Sequence, residues 1–349
     1  MKKYSLENIL HITKTRKADF DNILSVLHKK APARSTLFEF FLNGPLEQKL
    51  AQWKGAPKTE EETMHCKIKA FANAGYDYTT VLASDFRFKH KNNRHGKASI
   101  SANEGFEIFD RPSYAAYNWE DPREFYTNRL ERIEKYLPSG MKFIVHGPSG
   151  VLENTISLVG FDNLCYLLAD DPELIEMVVD QIGQRLLDYY EQIIHYDCVG
   201  AIISNDDWGF NTQTMLSTED MKKYIFKWHK KITRLAHSAG KPVILHSCGN
   251  LEKVWDDIIY DMQYDAKHSY EDNIMPVERV YDELKGKIAV LGGIDVDFVC
   301  RAPNEDVFQR CSAILEKTGC KGYALGTGNS IPTYLPDEKY FAMISAALI

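Results

Sequence analysis

Eight short β-type runs separated by stretches of helical periodicity constrain the fold of this 349-residue chain more than any other feature. They lie at 36–41, 78–82, 142–146, 199–204, 242–246, 264–267, 288–291 and 322–325. Strands that alternate with amphipathic helices build parallel sheets, because a parallel pair needs a crossover long enough to hold a helix. Two helices are well marked. Asp171, an N-cap with Pro172 behind it, opens a segment in which Leu174, Val178, Ile182 and Leu186 recur every four residues. Ser217-Thr218-Glu219-Asp220 opens another, with Met221, Ile225, Trp228 and Ile232 on one stripe and Gly240 as a left-handed stop. An open doubly wound sheet would place a glycine-rich turn after its first strand, and none follows here. The expected fold is therefore α/β: a (β/α)8 TIM barrel, one domain over 1–349, with a helical N-terminal extension over 1–30. Residues 83–141 exceed an ordinary connection and are rich in Asn, Tyr, Arg and Pro, which reads as an insertion after the second strand, over the barrel mouth.

Such barrels carry their chemistry in the loops after the strands. Polar clusters follow the proposed strands here: His146-Gly147-Pro148, Asn205-Asp206-Asp207-Trp208, His246-Ser247-Cys248, His268, Gly292-Gly293-Ile294-Asp295 and Gly326-Thr327-Gly328-Asn329. The sharpest is His246-x-Cys248. Residues two apart on a strand share a face, roughly 7 Å apart along it, so an imidazole and a thiol address one site. Both suit zinc, and a third ligand with one position left open would make the metal catalytic. A buried cysteine beside a polar histidine fits the same pattern. Asp206 and Asp207 diverge at a strand end, so at most one faces the site, to orient a ligand or accept a substrate proton, while the other caps the loop. Trp208, Tyr76, Trp119 and Phe210 offer an apolar wall for an aromatic substrate, or ordinary core. Gly292 and Gly293 with Asp295 let a loop pass close to bound ligand, or form a tight turn.

A formal charge of −7 leaves no electrostatic footprint for nucleic acid, and the basic run from Lys89 to His95 reads as a solvated loop tip. Seven cysteines, odd in number and without paired spacing, fit reduced thiols. No run reaches the length of a membrane span, and the mixed-charge start lacks the apolar core of a signal peptide. A cytoplasmic enzyme is expected. Helices that cover a barrel can also pair two copies, so a homodimer is compatible with the pattern.

Several stretches carry a family resemblance. They are Gly147-Pro148, Gly160-Phe161 with Asp171-Pro172-Glu173-Leu174, Asp206-Asp207-Trp208-Gly209, Gly240-Lys241-Pro242 through His246-Ser247-Cys248-Gly249-Asn250, and Gly292-Gly293-Ile294-Asp295. From about residue 140 onward the chain resembles the uroporphyrinogen decarboxylase superfamily, and more closely its branch of cobamide (corrinoid)-dependent methyltransferases. The resemblance implies a (β/α)8 barrel. The decarboxylases are similar to one another in an arginine-bearing loop after the first strand, which neutralises substrate carboxylates. Here that loop, Leu42-Asn43-Gly44-Pro45-Leu46-Glu47-Gln48-Lys49, has no arginine, and burying carboxylates without cations is costly.

The methyltransferases use the His-x-Cys pair as zinc ligands, which implies that role for His246 and Cys248. They close the site with a second cysteine after the eighth strand, where this chain has Asn329. The third ligand is then sought among Glu153, Asp206, Asp207 and His268, and Glu153 is favoured because relatives carry an acid in that segment. Losing a thiolate leaves zinc more Lewis-acidic, which suits demethylation of an aryl methyl ether or another methyl donor. The resemblance further implies a corrinoid (cobalamin) carried by a separate corrinoid-binding protein. Asp206 and Asp207 are the catalytic candidates, and Trp208, Tyr76, Asn329 and Asp295 the substrate-binding ones. Methylation of a thiol from methylcobamide, and cofactor-free decarboxylation, remain alternatives, as does a barrel that only binds a ligand.

Overall fold

A computed structural model describes residues 3–90, 103 and 106–349. Its centre is a parallel sheet of seven strands in sequential order: β1 (Tyr78–Leu82), β2 (Lys142–His146), β3 (Val199–Asn205), β4 (Val243–His246), β5 (Ala266–His268), β6 (Ala289–Leu291) and β7 (Tyr323–Ala324). All seven lie within two residues of the runs read from the sequence. Their residues are nearly all buried, as a parallel sheet lined by side chains on one face and covered by helices on the other requires.

The sheet is curled, and the expected count of eight is met only in part. Segment 36–41 touches the residue just after β7 through one bridge, Leu37 to Leu325, with Phe38 N–H donating to Leu325 O at 2.7 Å. Towards β1 its main-chain groups are taken by side chains. The Tyr78 hydroxyl accepts from Glu39 N–H and donates to Glu39 O, and Thr80 Oγ1 donates to Phe40 O. That pairing replaces the ladder an eighth strand would make. The inner rings still meet, since Phe38 packs on Tyr78 and His268 while Phe40 packs on His146 and His246.

Both well-marked helices form. Asp171 caps Pro172–Glu191 by accepting from Leu174 N–H, and Leu174, Val178, Ile182 and Leu186 are buried. Ser217 caps the next, whose first turns pass from Thr218–Asp220 through a π-turn at Met221–Phe226 into Lys227–Ser238. Gly240 adopts φ +69°, as a left-handed stop requires. The N-terminal extension comprises helices Leu6–Thr13 and Phe20–Leu27. The Phe20 ring fills the space where Gly200 of β3 lacks a side chain, so the extension plugs the amino-terminal end of the sheet.

The described part of 83–141 docks on the helices that follow β2. Glu107 and Ile108 N–H donate to Leu158 O, Arg111 pairs with Asp171, and Arg185 holds the carbonyls of Trp119 and Glu120. Most of the basic tip lies outside the described residues, although Lys89 is held by Glu120. Among the described residues no helix is long and apolar enough to cross a membrane.

Candidate metal centre

The ends of β3, β4 and β5 converge on one small volume. Neighbouring parallel strands put Asn205 beside His246 and His246 beside His268, so the residues that follow share a rim. Gly249, at φ +88°, lies against the Gly209 backbone where any Cβ would collide, which lets the loops after β3 and β4 touch. That approach sets Asp207 Oδ1 2.8 Å from the donating Cys248 N–H. The candidate ligand atoms of Asp207, His246 and Cys248 all lie within 4.8 Å of one another. A nitrogen, a sulfur and an oxygen donor at this spacing fit zinc with one position left open.

Burial and the charge of Asp207 push the Cys248 thiol up to about 12, so the thiol keeps its proton until a cation is present. Its sulfur also meets the Ser269 hydroxyl and the amide of Asn329, whose Nδ2 stands 3.5 Å away. Asn329 therefore reaches the metal group through Cys248. Its Oδ1 accepts from Ser330 N–H, so the face turned to sulfur is the donor NH2 and not a ligand oxygen. His246 is held well below its ordinary pKa by burial, with His268, Lys267 and His146 adding to the effect, and is a neutral imidazole able to bind metal.

Glu153, the favoured third ligand, is not brought into the ligand group. It lies in the first turn of helix Val151–Val159, where its carboxylate accepts from Gly150 N–H and closes its own helix start. Burial, with Asp206 and Asp207 nearby, raises it to about 8. Asp206 is also committed elsewhere: it is fully buried and accepts from Leu152 N–H, Glu153 N–H and His229 Nε2, each at 2.9 Å. It anchors a helix start and has no face for substrate. Of the adjacent pair, Asp207 faces the site and Asp206 does the capping. His268 has both ring nitrogens engaged, by His246 and by Thr327 O, and stands outside the candidate ligand group.

The proposed aromatic wall is mostly core. Trp208 is fully buried against Phe226 and His229, and Trp119 packs among Phe88, Tyr114 and Tyr117. Tyr76 precedes β1, at the amino-terminal end of that strand, its hydroxyl paired with that of Tyr340 and its ring against Phe71 and Tyr78. Phe210 alone is exposed, beside Phe161. Asp295 caps helix Val296–Arg301 and lines, with Asn329, a cleft of about 1060 Å³. That cleft is acidic: Glu271, Asp272, Asp295 and Asp297 face it against one arginine, Arg301. The close approach at Gly292 is to Thr327 O and the His268 ring, an internal contact.

Two buried residues had no signal in the reading of the runs. Glu39 accepts from Thr327 N–H and Oγ1 and is raised to about 8 by burial against the pull of those bonds. Lys267, alternating with His268 on β5, is buried beneath the Tyr270 ring and lowered to about 8. A carboxylate or ammonium inside a β-type run is the sign that could have marked them.

The family model for uroporphyrinogen decarboxylase matches residues 141–348, which include every residue of the metal group and more than half of the chain. The chain belongs to that family. Among solved structures, the family member is similar to a methyltransferase from Methanosarcina mazei, at 15% identity and a TM-score of 0.65, covering 93% of this chain and 97% of the other. It also matches a psychrophilic family 10 endo-beta-1,4-xylanase at 11% identity and a TM-score of 0.36, covering 67% and 83% of the two chains. An intracellular xylanase from Thermoanaerobacterium saccharolyticum matches at 10% and 0.35, covering 76% and 80%. No curated protein matches the chain.

Proposed function

We propose that this family member transfers a methyl group between a small methylated substrate, such as an aryl methyl ether, and a separate corrinoid protein, with zinc held by Asp207, His246 and Cys248. The mixed nitrogen, sulfur and oxygen donor set at the strand ends carries the reading. When bound there, zinc supplies Lewis acidity to the heteroatom that releases the methyl group. The chain's own residues do the rest. Asp207 accepts from the Cys248 amide through Oδ1, and Asn329 donates to the Cys248 sulfur and draws charge from it. A carboxylate in place of a second thiolate makes the metal a stronger Lewis acid, which favours the methyl-donor reaction over methylation of a thiol.

The acidic cleft beside Asn329 weighs against a tetrapyrrole polycarboxylate. The overall likeness to a protein described as a methyltransferase adds support. We read segment 36–41 with the seven strands as an eight-stranded barrel whose open mouth receives a corrinoid brought by a partner protein. The test is to measure zinc content and methyl transfer from aryl methyl ethers to reduced cobalamin in wild type and His246→Ala. About one zinc per chain and loss of transfer in the variant are expected. Unchanged transfer by His246→Ala would sink the reading.

A further inference from the structure

Behind the metal group lies a chain of hydrogen bonds that the proposed ligand set does not use. His246 Nδ1 and His268 Nδ1 stand 2.8 Å apart, and His268 Nε2 stands 3.1 Å from Thr327 O. A carbonyl oxygen only accepts, so His268 Nε2 carries a hydrogen. Phe38 and Phe40 close over the two rings, and among the described residues no carboxylate hydrogen-bonds to either, so a buried imidazolium is disfavoured. A neutral His268 then has a bare Nδ1, and the hydrogen shared by the two Nδ1 atoms belongs to His246. We infer that His268 is a positioning residue which locks His246 in the Nδ1–H tautomer and so presents Nε2, with its lone pair, as the metal-binding atom.

The surroundings are built to hold this relay. Thr327, whose carbonyl is the terminal acceptor, is fixed by Glu39, which accepts both its N–H and its Oγ1 hydrogen. Gly292, at φ +69°, leaves the space in which Thr327 O and the His268 ring meet, and a Cβ there would strike both. Ser247 N–H donates to His268 O, which fixes the two strand ends together. Carbonyl, imidazole and imidazole thus stand in line as an outer shell, the arrangement that sets ring orientation and ligand basicity at histidine metal sites.

The inference rests on the metal reading for its purpose, while the tautomer is measured without metal. A long-range 1H–15N correlation of the metal-free full chain, labelled at histidine and assigned with His246→Gln, is expected to show His246 protonated at Nδ1 and bare at Nε2. A His246 ring protonated at Nε2 overturns the relay. Co2+ and Zn2+ titrations then read its effect without turnover. His268→Phe keeps the ring and removes the acceptor, and is expected to weaken binding about 10–100-fold. His268→Asn places Oδ1 where Nδ1 was and should recover most of that loss. Equal affinity for wild type and His268→Phe, or no recovery by His268→Asn in a folded protein, overturns the inference. A wild type that binds no metal but shows the Nδ1–H tautomer overturns the metal reading and upholds the relay.

Discussion

At the scale of single residues, adjacency in sequence conceals opposite roles. Asp206 and Asp207 differ by one position, yet the first is sealed under a helix start and the second lies in the metal group. Asp206→Ala leaves two helix amides and the buried His229 without their acceptor, and should cost about 3 kcal/mol or more in urea denaturation. Asp207→Ala should leave that midpoint near wild type when both proteins are metal-free, and lower zinc content instead. Asn329 offers a converse test. Because its amide already meets the Cys248 sulfur, Asn329→Cys sets a second thiol at the same spot. Zinc affinity measured by competition with a chelator should rise, and demethylation should slow as the metal grows less Lewis-acidic. Equal affinity in the variant would show that residue 329 does not reach the metal.

At the scale of elements, strands and helices announce themselves through period, whereas the links between them depend on partners distant in sequence. Helix Lys227–Ser238 shows this. Its stripe and both ends are legible, but the bond from His237 in its last turn to Asp265 Oδ2 at 2.8 Å is not. The same carboxylate accepts from Val243 N–H, so it ties the helix end to the start of β4. The bond to Asp265 raises the His237 pKa, against partial burial and the charge of Lys29. A folded pKa above the unfolded one means stability that is full below the ordinary histidine range and is lost as pH rises through the raised value. Urea midpoints should therefore fall as pH rises from the ordinary histidine range upward, and His237→Gln should flatten that slope. A slope unchanged in the variant would assign the dependence to other groups.

For the whole molecule, the metal group joins the ends of β3 and β4, so occupancy should stabilise the two strands and the loops after them as a unit. Zinc that binds only the folded chain adds RT ln(1 + [Zn]/Kd), about 4 kcal/mol at a thousandfold excess over Kd. Chelation should lower Tm, zinc should restore it, and Asp207→Ala should be insensitive to both. The sequence by itself determined the strand runs, the two marked helices and the His246-x-Cys248 pair, because period and two-residue spacing are local and survive without tertiary context. It also brought Asp207 into the set of possible ligands without singling it out. Only the tertiary structure decided among them. Glu153 turned back to its own helix, Asp206 went under a distant one, and Tyr76 fell into the core behind the sheet. His268 turned its ring nitrogens to His246 and to the Thr327 carbonyl. Segment 36–41, which reads as a full strand, made one bridge because side chains of β1 took its main-chain groups. Each outcome turns on which donor meets which acceptor across tens or hundreds of residues, a pairing that burial enforces and that no local pattern encodes.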